Sequence, residues 1–481
     1  MGAQLLRAFS LEGIPANEAY VADLNNDGRP EVLFLQSPGI LQSRIFSPGR
    51  PFWDAPYDAS GRTRRTDYCL TAVDPQGRVI WQYGRPKAYV DAIECLGHVA
   101  DQMVCCDDIN GDGKTEVAFV CFDRLVLLEG ATGRVLQQTG LDADNYGIVR
   151  PAATRQGKRL LVKNTERGHA PHWYADPALI FDAELNLVAR LGKTVGSGHS
   201  PRALDLNGDG DEEILIGYEA YTADGHRLWR LEGQDPATYD DNNHVDQLQA
   251  GPFGEGGALR IVYAGSRMVY VGTPEGRLVW QRELGHPQHV LVGDFRAGGA
   301  RAHLAILSVL HDNVLFFFRG DGALVNVLNP PPMWPENPEK IRGAHSGEGL
   351  LIYPQGCPDG SDAVITRDWG WPRVYDLAGN EPFAFPPPGE GESAARISCP
   401  RSAAEDEALR REGLSPGSPV VTRESYGIRI FDADGDGRAE VLIHNLRRAW
   451  LYKPPYPAAG APNTHARLRP VTGQGWYALP Q

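Results

Sequence analysis

Long apolar runs are missing from this 481-residue chain. No apolar stretch reaches the roughly 18 residues of a membrane span, so no transmembrane helix is expected. Long amphipathic helical patterns are nearly absent, and methionine is scarce at 4 residues. Basic runs long enough to track phosphates are lacking, and with a net charge of −14 this argues against a nucleic-acid partner. None of the 7 cysteines forms a CxxC pair, so neither a disulfide framework nor a zinc site is expected. Several of them fall in apolar strand patterns, where cysteine acts as a small buried hydrophobe. There is no GxSxG elbow, no P-loop and no dinucleotide fingerprint. Met1 to Tyr20 has no apolar signal core, which reads as a cytoplasmic protein as written, or as an exported one whose leader has been trimmed.

What is abundant is turn chemistry, with 55 glycines and 37 prolines. One acidic turn recurs, each time feeding an apolar strand. It reads Asp23-x-Asn25-x-Asp27-Gly28-x-x-Glu31, then Asp108-x-Asn110-x-Asp112-Gly113-x-x-Glu116, then Asp205-x-Asn207-x-Asp209-Gly210-x-x-Glu213, then Asp432-x-Asp434-x-Asp436-Gly437-x-x-Glu440. A worn copy follows Asp294. Oxygens at positions 1, 3, 5 and 9 can converge on one hard cation, and the glycine permits the sharp turn. Oxygen donors without Cys or His at ligand spacing point to Ca2+. The last acid comes too early for an EF-hand, and a β-branched run follows at once, so this is a strand–loop–strand turn. A single copy reads equally well as an Asx/Gly hairpin with solvated acids. Four copies in register favour calcium.

Eight units of about four short strands follow from this spacing. They span Leu5–Tyr83, Cys95–Gln138, Asn145–Leu191, His199–Leu231, His244–Leu284, His289–Leu328, His345–Phe385 and Ser425–Tyr452. Most end in a hairpin around Gly77, Gly133, Gly225, Gly276 or Gly322, and Trp81, Trp229 and Trp280 close three of these hairpins and are expected to pack between units. The expected fold is all-β, a single β-propeller domain over residues 1–481 with eight four-stranded blades, or seven if the first and last segments merge. Closure of the ring falls to Leu5–Phe9 or to Trp476–Leu479. Residues 36–66 form an insertion in blade 1, and residues 386–419 a loop or lid between blades 7 and 8, with a further Pro-rich loop at Asn329–Pro338.

Histidines recur just ahead of the first strand of a unit: His98, His199, His244, His289 and His345. Tyr146 holds that place in the third unit. The starts of the innermost strands of a propeller face the axis, so these groups are candidates to converge on one mouth of the channel. The alternative is a structural bond to neighbouring backbone, repeated by duplication. Arg202 lies close to His199 in the chain, and Asp246 could orient a ring or bind a cation. His169, His172 and Trp173 sit in an aromatic loop suited to sugar stacking. Histidine, arginine and tyrosine without a reactive serine or cysteine suggest proton chemistry on a carbohydrate.

The run from Gly198-His199 through the acidic turn to Gly217-Tyr218, then Asp224-Gly225, Leu228-Trp229 and His244-Val-Asp246, resembles β-propeller polysaccharide lyases of the rhamnogalacturonan lyase, ulvan lyase and rhamnose–glucuronate lyase type. The acidic turns alone resemble the less specific FG-GAP repeats. The likeness covers most of Val21–Lys453, with its distinctive part in Gly198–Asp246. It implies β-elimination at a uronic acid. His199 and His244 are then the base and acid candidates with His98 and His289 beside them, Arg202 is a carboxylate clamp, and Tyr146 or Tyr218 assists. His169, His172, Trp173 and His345 would bind substrate. The expected partner is a uronic-acid-containing poly- or oligosaccharide, with no nucleic acid or membrane, and the chain is expected to be a monomer. The alternative is a non-catalytic FG-GAP-type propeller that binds glycan or protein. A quinoprotein-like propeller ranks last.

Overall fold

In the computed structural model of the protein the described residues are 1–14, 18–36, 69–84, 103–121, 123–142, 146–164, 178–235, 244–296, 303–308, 314–329, 350–366, 371–388, 426–445 and 448–456. They form eight antiparallel sheets, seven of four strands and one of three. These are the blades of a β-propeller, numbered here in chain order. Blade 1 is built from Glu18–Ala22, Glu31–Gln36, Cys69–Val73 and Val79–Gly84. Blade 5 is built from Val245–Gly251, Arg260–Gly265, Met268–Gly272 and Leu278–Glu283. Among the described residues helix is confined to one three-residue turn, Glu255–Gly257, and no described helix is long and apolar enough to cross a membrane.

Strand sequence decides depth in the ring. First strands such as Pro287–Gly293 are buried along their whole length, and last strands such as Val135–Gly140 are largely exposed. Each acidic turn delivers a β-branched run directly into a second strand: Glu31–Gln36, Glu116–Cys121, Glu213–Ile216 and Glu440–His444. Alternate residues of these strands face opposite neighbours, as the two-residue period requires. Leu215 packs towards blade 5, whereas Ile214 and Ile216 pack towards blade 3.

The core is therefore eight separate apolar seams, one between each pair of adjacent blades, and the seam between blades 8 and 1 closes the circle. The fourth strand of blade 8 comes from the other end of the chain: Gln4–Ser10 pairs with Arg448–Lys453. The expected N-terminal closure is thus the one observed, while Trp476–Leu479 lies outside the described residues. So do nearly all of the two insertions, apart from Gln36 and residues 386–388. Cys69, Cys105, Cys121 and Cys357 are buried free thiols, as their strand positions suggest.

A glycine–aromatic contact repeats around the rim. The ring of Trp81 in blade 1 lies 2.6 Å from where a Cβ on Gly133 of blade 2 would sit, and Trp229 of blade 4 stands in the same relation to Gly276 of blade 5. Both glycines have positive φ, 68° and 81°, which the hairpin turn demands. Trp81 also donates its indole N–H to Gly130 O at 2.7 Å, and Trp280 donates to Gly320 O at 3.0 Å.

Candidate functional site

The chain enters blades 4, 5 and 6 at one place. Gly198 lies flat against Val245, where any Cβ would collide with the Val245 backbone. His199 N–H donates to Val245 O at 3.0 Å, and Val245 N–H donates to Gly196 O at 2.9 Å. From blade 3 the buried Lys163 ammonium donates to Gly198 O at 2.7 Å. This strap fixes His199 beside His244, with ring centroids 5.0 Å apart and the planes at 82°.

Both imidazoles meet one buried carboxylate. Asp246 Oδ1 lies 3.2 Å from His199 Nε2 and 3.1 Å from His244 Nε2, and it accepts a hydrogen bond from Gln288 Nε2 at 3.1 Å. His286 Nε2 lies 3.7 Å from Oδ2. Burial opposes ionisation of Asp246, but the charge of His244 and the hydrogen bonds from both rings hold its carboxyl well below the usual aspartate range. Ser266 Oγ lies 2.9 Å from His244 Nδ1 and donates to His244 O at 3.0 Å.

Two β-bulges create this convergence. The pairing of Val245–Gly251 skips a residue between Val245 and Gln247, and that of Pro287–Gly293 skips between Pro287 and His289. The extra residues are Asp246 and Gln288, and a bulge re-aims the side chain it carries. Aligned on the bulge, His286-Pro287-Gln288 matches His244-Val245-Asp246. His289 then matches Gln247, a core position, and is fully buried. Blade 6 accordingly brings His286 to Asp246 in place of the expected His289. The signal in the sequence was the repeated His-x-(Asp/Gln) triplet, which strand alternation alone does not single out.

The remaining candidates separate. Arg202 is half-buried and begins the first strand of blade 4. Tyr146 is buried in the seam between blades 2 and 3. Tyr218 is not a surface acid or base: it is fully buried between blades 4 and 5 against Tyr263 and Tyr270, because the turn that carries it packs under Gly196. His98, His169, His172, Trp173 and His345 lie outside the described residues. A further charged group arises where the ring closes, and the sequence did not mark it. Buried Glu18, at the start of blade 1, pairs with Arg429 of blade 8 at 2.8 Å and lies 3.7 Å from His444 Nε2.

The four acidic turns share one internal pattern. Asp23 accepts the N–H groups of Asp27 and Gly28, Asn25 that of Asp27, and Asp27 that of Arg29. Glu31, Glu116, Glu213 and Glu440 are buried, and each carboxylate accepts the N–H of the second residue of its turn at 2.8 Å. Burial, the largest influence, raises the pKa of all four. Asp108 Oδ1 is a buried oxygen that accepts no hydrogen bond, as a carboxylate awaiting a cation would be. In the fourth turn Asp432, Asp434 and Glu440 have oxygens within 4.8 Å of one another. There the Lys453 ammonium lies 2.8 Å from Asp434, 2.6 Å from Asp436 and 3.2 Å from Glu440. These acidic groups could bind a metal; in the fourth turn a lysine already meets them.

Comparison with known proteins agrees with the resemblance read from Gly198–Asp246. No protein-family model matches the chain. Over 312 residues it is 25% identical to the rhamnogalacturonan endolyase YesW of Bacillus subtilis, a match covering 62% of this chain and 44% of that protein. The chain thus aligns with less than half the length of that relative. In fold it is similar to the rhamnogalacturonan lyase PL11 of Bacillus licheniformis, with a TM-score of 0.56, 15% identity and coverage of 91% of this chain and 71% of the other. The crystal structure of YesW gives 0.56 at 14% identity, covering 99% and 80%, and that of the exotype lyase YesX gives 0.56 at 13%, covering 94% and 74%.

Proposed function

We propose that this chain is a polysaccharide lyase that cleaves a uronic-acid-containing glycan by β-elimination at the mouth of the propeller channel. The observation that carries the reading is the gathering of His199, His244 and His286, from the starts of three successive blades, around Asp246. The similarity to proteins named rhamnogalacturonan lyases supports the reaction class.

Elimination requires the uronate carboxylate to be neutralised, the C5 proton to be removed, and the C4–O bond to break as the C4–C5 double bond forms. His286 is the most exposed of the three imidazoles, at 15%, and takes the C5 proton. The His199–Asp246–His244 group forms the positive wall that faces the carboxylate, with Arg202 as its neighbouring clamp. The departing oxygen takes its proton from solvent. In blades 1, 2 and 4 the acidic turns hold calcium through Asp23, Asn25, Asp27 and Glu31, Asp108, Asn110, Asp112 and Glu116, and Asp205, Asn207, Asp209 and Glu213. Calcium there supplies charge compensation that stiffens each turn, not chemistry at the channel.

The near-complete burial of His199 and His289 favours a second reading, a glycan-binding propeller whose histidines brace neighbouring blades. The ultraviolet absorbance of unsaturated uronate products, followed over a panel of uronic-acid glycans, separates the two. A lyase gives a rising signal that falls by about 10²–10⁴-fold in His286→Gln, the usual worth of a positioned base. Silence on every glycan, together with retained glycan binding, would establish the binding module.

A further inference from the structure

Among the described residues, the seam between blades 7 and 8 is the most aromatic of the eight. It buries Tyr426, Trp450 and Tyr452, and Trp371 is only partly buried against them. The Trp371 ring stands edge-to-face with all three, at centroid distances of 5.2, 5.7 and 6.1 Å. Its indole N–H donates to Phe385 O at 2.7 Å. Trp371 lies on the face of the ring where the first strands begin. In blade 5 the link between the second and third strands reaches that face, because Ser266 in this link meets His244 at 2.9 Å. Trp371 holds the same link in blade 7, just before Arg373–Tyr375, and its neighbour Tyr426 directly precedes Gly427–Phe431, the first strand of blade 8. Arg448 opens the third strand of blade 8, Arg448–Lys453, at the same face. Residues two apart on a strand share a side. Trp450 and Tyr452 pack towards blade 7, whereas Ala449 and Leu451 pack towards blade 1. The exposed Arg448 therefore stands above Trp450 on the side of Trp371.

We infer that Trp371 and Arg448 form a subsite for one uronic acid residue of a bound glycan, away from the bond that breaks. The indole has spent its N–H on Phe385 O, so it offers a ligand its apolar ring surface, on which the C–H face of a pyranose stacks. Three neighbouring rings already fix that indole, so binding costs it little rotamer freedom. The Arg448 guanidinium takes the uronate carboxylate, the planar acceptor that its fork of donors fits. Blade 7 lies between this seam and His286, which enters blade 6, so a glycan that engages both is several sugars long. The subsite rests on the reading of the chain as a protein that binds a uronic-acid glycan, which both functions above share, and not on elimination itself.

Oxidative footprinting of the full wild-type chain, read by peptide mass spectrometry, provides the test. The probes are galacturonate- and glucuronate-based oligosaccharides of graded length, together with their carboxyl-reduced forms. Long oligosaccharides should protect Trp371 from oxidation, and the reduced forms should need about 10-fold higher concentrations, as the loss of a charge-assisted pair requires. Trp371→Leu and Arg448→Gln should each lower the ratio of kcat/KM on long over short chains by about 10-fold, with Trp371→Phe recovering part of the loss because it keeps a ring. Trp371 left equally reactive in the presence of every oligosaccharide would overturn the inference, and a rising product absorbance in the same samples would leave the lyase reading standing. Protection without any absorbance change would support the subsite and remove elimination. Equal protection by the reduced forms would overturn the assignment to a uronic acid.

Discussion

At the scale of single residues, one fully buried aspartate does more than any histidine to define the site. Asp246 accepts from Gln288 and faces three imidazoles, so its removal disorders partners from three blades at once. Asp246→Asn keeps the volume and removes the charge. It should abolish elimination while costing about 3–5 kcal/mol of stability if the imidazoles stay charged, as for other buried pairs broken on one side. Denaturant unfolding beside the absorbance assay checks both halves, and unchanged activity would remove Asp246 from the mechanism. Of the histidines expected ahead of the first strands, His199 and His244 meet as the sequence suggested, with Asp246 as their partner, while His98 and His345 lie outside the described residues. The choice of His286 over His289 was not legible in the sequence, because a single bulge residue changes which face a side chain takes, and bulges leave only a faint mark on an apolar pattern.

At the scale of the element, the fourth acidic turn differs from the other three. The register of the second and third strands places Lys453 of blade 8 where blade 1 has Asp74, blade 2 has Glu129 and blade 4 has Thr222. A cation is thus built into this turn by the chain itself. Burial works against the Lys453 charge, but the three acids together raise its pKa above the ordinary 10.5. Its contribution is therefore fully present below 10.5, and it is lost only as the pH rises through the higher folded value. Lys453→Met should lower stability at neutral pH by about 1–3 kcal/mol in chelator, the cost of uncompensated polar groups. Added calcium should restore most of that loss, since the acids already converge. Melting curves with chelator and with calcium decide this, and an equal loss in both would show that the turn cannot accept an ion. The repeated motif was read correctly as four turns of one geometry, but position 453 lies far along the chain, and nothing local ties it to Asp434. The rim contacts make a separate expectation. Trp81→Ala should cost about 3–5 kcal/mol, as for other buried aromatics, and Gly133→Ala should also destabilise, because its φ of 68° and the indole above it both exclude a methyl group. Chemical denaturation of the two variants checks the pair.

At the scale of the whole molecule, stability is shared among eight seams, and the seam between blades 8 and 1 forms only when the ring closes. Closure depends on Gln4–Ser10 completing blade 8 beside Arg448–Lys453. Deleting residues 1–10 should lower the melting temperature and broaden the transition in calorimetry, as the seam between blades 8 and 1 opens first. An unchanged, equally sharp transition would show that blade 8 holds without its fourth strand. The repeat count, the all-β class, the acidic turns and the hairpins followed from the sequence by itself, because turn residues and two-residue alternation act over a few neighbouring positions. The tertiary structure alone decided which N-terminal strand completes which blade, which imidazoles meet Asp246, and which acidic turn carries its own ammonium ion. Each of these depends on strand register and on contacts between residues well separated in the chain, such as Lys453 and Asp434, 19 apart, Gln288 and Asp246, 42 apart, and Arg429 and Ala19, 410 apart. No local pattern of side chains encodes separations of that kind.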